Sequence, residues 1–188
     1  MHTMHTRTIG RTLIWALLAT ALPAAAHPGH APDSSFVAGL LHPVSGIDHL
    51  LALLAVGLWS RQLRHGVVLG PTFLILMALG AASASGVAWP ALELSIAASV
   101  LLLGALAACA PALQRRVPPS IAVSTVGVCA FLHGLAHGNE LNGSASGAGF
   151  VLASALVMLA AATTGERLRR MLGAMIGAAG LWLMALAA

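Results

Sequence analysis

Two short runs hold most of the chemistry available to this chain. His42-Pro43-Val44-Ser45-Gly46-Ile47-Asp48-His49 and His133-Gly134-Leu135-Ala136-His137-Gly138-Asn139-Glu140 combine imidazoles with carboxylates. That donor set suits nickel, cobalt, zinc or copper, whereas magnesium and calcium want mostly oxygen. On a helix, residues four or seven apart share a face. His42 and His49 then point one way with Asp48 one step round, while His133, His137 and Glu140 form a single stripe. Hydrogen bonding that glues helices together is the plainer use of such groups. Six of them on two short runs exceed what packing needs, and each is costly in an apolar segment, so the runs mark a site or a pathway.

The segments around them read as membrane. The chain has 188 residues, 59% hydrophobic and 7% charged, with a mean hydropathy of +0.91, outside the range of a soluble domain. Nine arginines, no lysine and five acids give a sequence pI of about 11.1. These arginines are spread along the chain rather than forming a nucleic-acid footprint. Residues 1–26 have the parts of a secretory signal: Arg7 and Arg11, an apolar run from Leu13 to Leu22, then Ala24-Ala25-Ala26, which predicts cleavage before His27. An uncleaved first span is the alternative. The remainder, 27–188, is expected to be one all-α domain, a polytopic helix bundle in the bacterial inner membrane. At 1.5 Å per residue a span needs roughly 20 apolar residues, and six segments qualify: 36–60, 66–85, 91–110, 119–140, 147–166 and a short 171–188.

Arginines collect in alternate breaks, Arg61 and Arg64, then Arg115 and Arg116, then Arg167, Arg169 and Arg170. The positive-inside rule makes those loops cytoplasmic and puts the mature N-terminus and the C-terminus outside. Trp59, Trp89 and Trp182 fall near expected span ends, as interfacial aromatics do. Gly66/Gly70 and Gly173/Gly177 stand at the spacing of close helix approach. Cys109 and Cys129, and the methionines Met77, Met158, Met171, Met175 and Met184, read as packing or lipid contacts.

A straight first span would put His42 roughly 9 Å and His49 roughly 20 Å below the outer surface, with His137 and His133 about 5 and 10 Å down on the fourth. The expected arrangement is a ladder into the bilayer, a route more than a closed cage. Pro43 should kink the first span beside His42. Glu93, just inside the third span, is a candidate third-helix ligand or charge-balancing partner, or else an interfacial carboxylate. Ser95 and Ser99 read as helix–helix hydrogen bonders. His27 and His30, with the α-amino group of His27, could collect metal or form a solvated tail.

At these residues the chain resembles the HupE/UreJ family of nickel and cobalt permeases. The family's signatures are similar to H-P-x-x-G-x-D-H and F-H-G-x-A-H-G-x-E, matched by His42 to His49 and by Phe131 to Glu140. Leu132, set between Phe131 and His133, is a small departure that leaves the ligand spacing intact. The resemblance covers essentially the whole mature chain. It implies His42, Asp48, His49, His133, His137 and Glu140 as metal-binding residues, and a permease, not an enzyme, that carries Ni2+ or Co2+ inward to supply hydrogenase or urease maturation. It implies no permanently bound cofactor; a homo-oligomer and a metallochaperone partner stay open. Leu41-His42 through His49-Leu50 repeats the spacing of Leu132-His133 through Glu140-Leu141 three spans later, which suggests a 3+3 inverted repeat. The chain has no G-x-x-x-x-G-K-[ST], so an ATP-driven version would need another subunit. A b-type cytochrome with histidines on facing helices is the rival reading. An intramembrane metallohydrolase lacks its H-E-x-x-H.

Overall fold

In the computed structural model, residues 35–84, 89–109, 116–137 and 144–188 are described; the expected signal segment lies outside them. They form seven α-helices, with no strand among the described residues: α1 (Phe36–Ser45), α2 (Ile47–Ser60), α3 (Leu69–Ser83), α4 (Leu92–Ala108), α5 (Pro119–His137), α6 (Ser144–Ala162) and α7 (Glu166–Ala187). A single 3-10 turn, Gly66–Val68, leads into α3.

Local chemistry sets several of these ends. The Ser35 side chain accepts from the Ala38 amide at 3.1 Å and opens α1. Pro119 occupies the first position of α5, where a missing N–H costs nothing, and Glu166 sits in the first turn of α7, favourable against the helix dipole. Arg167, Arg169 and Arg170 lie on that helix instead of in a preceding loop, so the last span is longer than expected, 22 residues.

The expected first span is two helices. α1 and α2 meet at Gly46 with an angle of 84° between them. Pro43 has no N–H to offer the Gly39 carbonyl and its ring crowds that turn. The Ser45 hydroxyl then donates to the His42 carbonyl at 2.7 Å, Gly46 takes an extended conformation (φ −95°, ψ 115°), and the Leu50 amide restarts the ladder on the Gly46 carbonyl at 3.0 Å. A kink was expected; a right-angled break is what these groups produce. Of the six expected spans, Gly66–Ser83 and helices α5, α6 and α7 are each long and apolar enough to cross a membrane. The broken pair counts as a fifth, and α4, at 17 residues, is apolar but shorter.

The break makes α2 the axis of the bundle. From His49 to Trp59 it is buried on nearly every side, packed against α1, α3, α4, α6 and α7. Its apolar residues join Phe73, Met77, Val100, Leu103, Val126 and Phe150 in one core. Trp59 belongs to that core at 1% exposure, which corrects its placement at the interface; Trp89 and Trp182, at 45% and 58%, do lie outside. Ile75, Leu102, Val128, Leu159 and Leu181 are turned outward, a surface suited to lipid and unsuited to water.

Three tight pairings build the rest: α4 with α7, α3 with α5, and α6 with α1 and α2. Exchanging the halves α1–α4 and α5–α7 leaves the first pairing unchanged and interconverts the other two, which fits a 3+3 plan. Small residues allow the contacts: Gly104 lies on the Gly177 amide, Gly134 on the Met77 carbonyl, Gly39 on the Ser146 carbonyl. Gly173 and Gly177 thus pack against α4, while Gly70 meets only the end of the Met158 side chain. Gly104→Val should separate α4 from α7 and lower stability by about 1–3 kcal/mol, read as thermal unfolding in detergent. Gly147→Ala, at a position with open space around it, should leave the transition within about 0.5 kcal/mol; equal losses at both would refute the packing.

Candidate metal-binding site

The break delivers His42 and His49 to one place. His42 ends α1 and His49 begins α2, and α5 brings His133 and His137 against them. His42 Nε2 and His137 Nδ1 are 3.1 Å apart in a hydrogen bond. Ring centroids lie 4.9 Å apart for His42–His137 and for His49–His137, and 5.6 Å for His49–His133. The four rings form a cluster, not the ladder expected from a straight helix, because the turn at Gly46 cancels the vertical offset that a continuous span would impose.

Two phenylalanines wall the cluster. Phe150 stacks on His49 at 5.0 Å and meets His42 at 5.3 Å, and Phe73 lies 6.2 Å from both His49 and His133. The sequence reading missed both. Their signal was scarcity: four phenylalanines occur in the chain, and these two sit within spans, away from the ends.

His49 is the anomaly. It is fully buried, and neither Nδ1 nor Nε2 has a hydrogen-bond partner. A neutral imidazole carries one donor and one acceptor, and leaving such a group unpaired in a buried site costs about 1–3 kcal/mol. Nitrogen capacity is therefore unspent at the centre of the cluster. Among the described residues no three His, Cys, Asp or Glu side chains stand as a ready ligand shell. Bringing several nitrogens onto one ion requires ring rotations, and His42 and His137 must then give up their mutual bond.

His133 is held differently. The Ser99 hydroxyl lies 2.7 Å from the Ile96 carbonyl and 2.9 Å from His133 Nε2. A carbonyl only accepts, so the hydroxyl proton goes to Ile96 and the Ser99 oxygen accepts from His133. His133 is thereby fixed as the Nε2–H tautomer, with its lone pair on Nδ1. Ser99 is the helix–helix hydrogen bonder expected, and its partner is a site histidine.

Charge is arranged around the same point. Asp48 accepts from the His49 amide at 2.7 Å, offsetting the positive end of α2, and acts electrostatically on His133. The C-terminal ends of α1 and α5, where helix carbonyls carry partial negative charge, carry His42 and His137. Glu93 and Asp48 both line an open cleft of 340 Å3 together with Ile47, Ile96, Leu183 and Leu186; no hydrogen bond joins Glu93 to the histidines among the described residues. Glu140, His27 and His30 lie outside the described residues.

Comparison with known proteins agrees with the signatures. The family described as HupE / UreJ protein matches residues 15–188. The chain is 41% identical over 140 residues to Protein HupE of Rhizobium leguminosarum bv. viciae, covering 72% of this chain and 71% of that protein. No solved structure matches.

The Ser99 geometry is open to direct measurement. Nitrogen NMR of histidine-labelled, metal-free protein should report His133 protonated on Nε2. Ser99→Ala should release that preference and cost about 1–3 kcal/mol by leaving a buried N–H unpaired, and Ser99→Thr should preserve both. Wild-type His133 protonated on Nδ1 would contradict the assignment.

Proposed function

The chain belongs to the HupE/UreJ family, and we propose that it is an inner-membrane permease carrying Ni2+ or Co2+ into the cytoplasm through the histidine cluster. The observation that carries this reading is His49, buried with both ring nitrogens unspent among three other imidazoles. An ion accepting its lone pair would supply the missing partner. His49 and His133, the latter through Nδ1, are the first ligands; rotation of His42 and His137 out of their mutual bond adds two more. Asp48 balances charge and, with Glu93, gathers the cation in the cleft beside α2. Glu140, His27 and His30 are proposed as further ligands on the outer approach.

Imidazole-rich coordination fits nickel and cobalt. Rings 4.9–5.6 Å apart leave no slot for a haem macrocycle between them. With the arginine-rich loops in the cytoplasm, the outer approach meets the broken helix first, the arrangement in which discontinuous helices present ion sites near the bilayer centre. The membrane potential is worth about 2.3 kcal/mol per charge per 100 mV, hence roughly 4.6 for a divalent ion, enough for about a thousandfold accumulation. Delivery to a metallochaperone for hydrogenase or urease maturation is the proposed destination.

Alanine at His42, Asp48, His49, His133 or His137 should each remove at least about tenfold of nickel uptake with membrane abundance intact. Glu93→Gln and deletion of His27 to His30 should be milder. Unchanged uptake in His42→Ala and His137→Ala together would put the pathway elsewhere.

Stability and transport should part at His49. His49→Leu removes two unpaired groups at similar volume, so the metal-free variant should be more stable by about 1–3 kcal/mol while transport is lost. Nickel should raise the unfolding temperature of the wild type and not of the variant. A variant less stable than the wild type would mean His49 is already satisfied.

Histidines coordinate only when neutral, so acid strong enough to protonate the cluster should stop uptake. The direct test is nickel flux into sealed liposomes holding this protein alone under an inside-negative potential. Flux that ignores the potential, or requires ATP and a second protein, would sink the reading.

A further inference from the structure

Two cavities at the arginine-bearing end share a wall. One, of 550 Å3, is an apolar groove between α2, α3 and α6 lined by Val56, Leu74, Met158 and Leu159, with Arg61 and Arg64 at one end. The other, of 260 Å3, is lined by Arg64, His65 and Arg116 together with prolines and aliphatic residues. Arg64 belongs to both. Among the described residues no carboxylate lines either cavity, and the four basic side chains are exposed. From Gly66 to Leu74 the groove follows the 3-10 turn and the start of α3 for about 12 Å, close to the depth of one leaflet of a hydrocarbon core about 30 Å thick.

From this juxtaposition we propose that the two cavities form one binding site for an anionic phospholipid of the leaflet the arginines face. Its phosphate is held by Arg64, His65 and Arg116, and one acyl chain lies in the groove. Charge complementarity selects the occupant. Arginine presents a planar fork that matches phosphate oxygens, and basic pockets between helices on the cytoplasmic side are suited to anionic headgroups. A zwitterionic lipid would bring its own cation into a cleft that has no acid to receive it. A free anion would satisfy the basic cleft and leave the groove unused. Groove and cleft are independent of the histidine cluster and of the transport reading.

Gly70 makes the groove testable without touching the charges. A Cβ there would meet only the end of the Met158 side chain, its nearest atoms 3.9 and 4.0 Å away, whereas Gly57 on the floor is pressed against the Met158 carbonyl. Gly70→Leu therefore fills the groove and leaves the helix crossings alone. Arg64→Gln/Arg116→Gln removes charge at exposed positions that contribute no core.

The experiment is lipid titration of the purified full chain in neutral detergent, read by native mass spectrometry and thermal unfolding. Phosphatidylglycerol, phosphatidylcholine and inorganic phosphate are the three probes. Phosphatidylglycerol is expected to stay bound and raise the unfolding temperature, with phosphatidylcholine and phosphate doing neither. The double arginine variant should weaken phosphatidylglycerol about thirtyfold, the loss of two basic contacts at a charged surface, and Gly70→Leu should weaken it while keeping the arginines. Equal retention of phosphatidylcholine overturns the proposal, as does stabilisation by phosphate that Gly70→Leu does not alter. Undiminished phosphatidylglycerol binding in the double arginine variant overturns it as well.

Discussion

The architecture depends on an interruption of backbone hydrogen bonding inside a segment that composition marks as a span. In hydrocarbon every amide and carbonyl must find an internal partner, so a proline within a span is affordable only where neighbouring groups take up the loss. Here Ser45 covers the His42 carbonyl and Asp48 covers the His49 amide. α6 crosses close on the first half of α1, through Gly39 and Gly149, and so holds α1 in place while Ser45 and Ile47 at the turn stay exposed. The consequence is geometric. A fourteen-residue α2 is only about 21 Å long, shorter than the roughly 30 Å hydrocarbon core, so its polar first turn cannot reach one boundary while its last turn reaches the other.

That first turn is where the energetics become unusual. A membrane protein gains little from burying apolar groups against one another, since lipid is equally apolar; close packing and satisfied polar groups hold the bundle. Around α4 and α7 this holds, with backbone set on backbone through Gly104, Gly173 and Gly180. At His49 it is violated. The groups around His49 are rings: His133, His137, Phe73 and Phe150. Ring stacking stabilises an imidazole by area without using its nitrogens. Strain of this kind is retained in a structure where something outside the fold relieves it.

Much of this was legible in the residues. The two runs named the histidines the fold assembles, and apolar length placed five of the six segments close to their helices. What failed was geometry that hydropathy does not encode. Pro43 signals a kink but not its angle, and a window average passes over Gly46, so depths counted along a continuous span laid the histidines out as a ladder. Trp59 read as interfacial because it stands near a span end, yet a helix surrounded on all sides buries its ends too. Ser99 was correctly read as a hydrogen bonder, but its partner lies 34 positions away on another helix, a pairing only the fold can reveal. Phe150 and Phe73 carry no motif at all, since their contribution is contact.

The closed form of the cluster bears on what kind of metal site it would be. A resident site is built with ligands already converged and no competing partner, so that binding energy is retained. In this cluster His42 and His137 satisfy each other, and an incoming ion must displace that bond to recruit them. Each such exchange subtracts a hydrogen bond, about 0.5–1.5 kcal/mol net, from the gain on coordination. His49 pulls in the opposite direction, because coordination removes a penalty that the empty state bears. On the proposed reading, entry would be favoured by one histidine and release by two others, the balance that conduction requires: binding strong enough to strip water from the ion, weak enough to let it go. A cluster in which all four imidazoles were either free or fully paired would serve one half of that cycle and block the other.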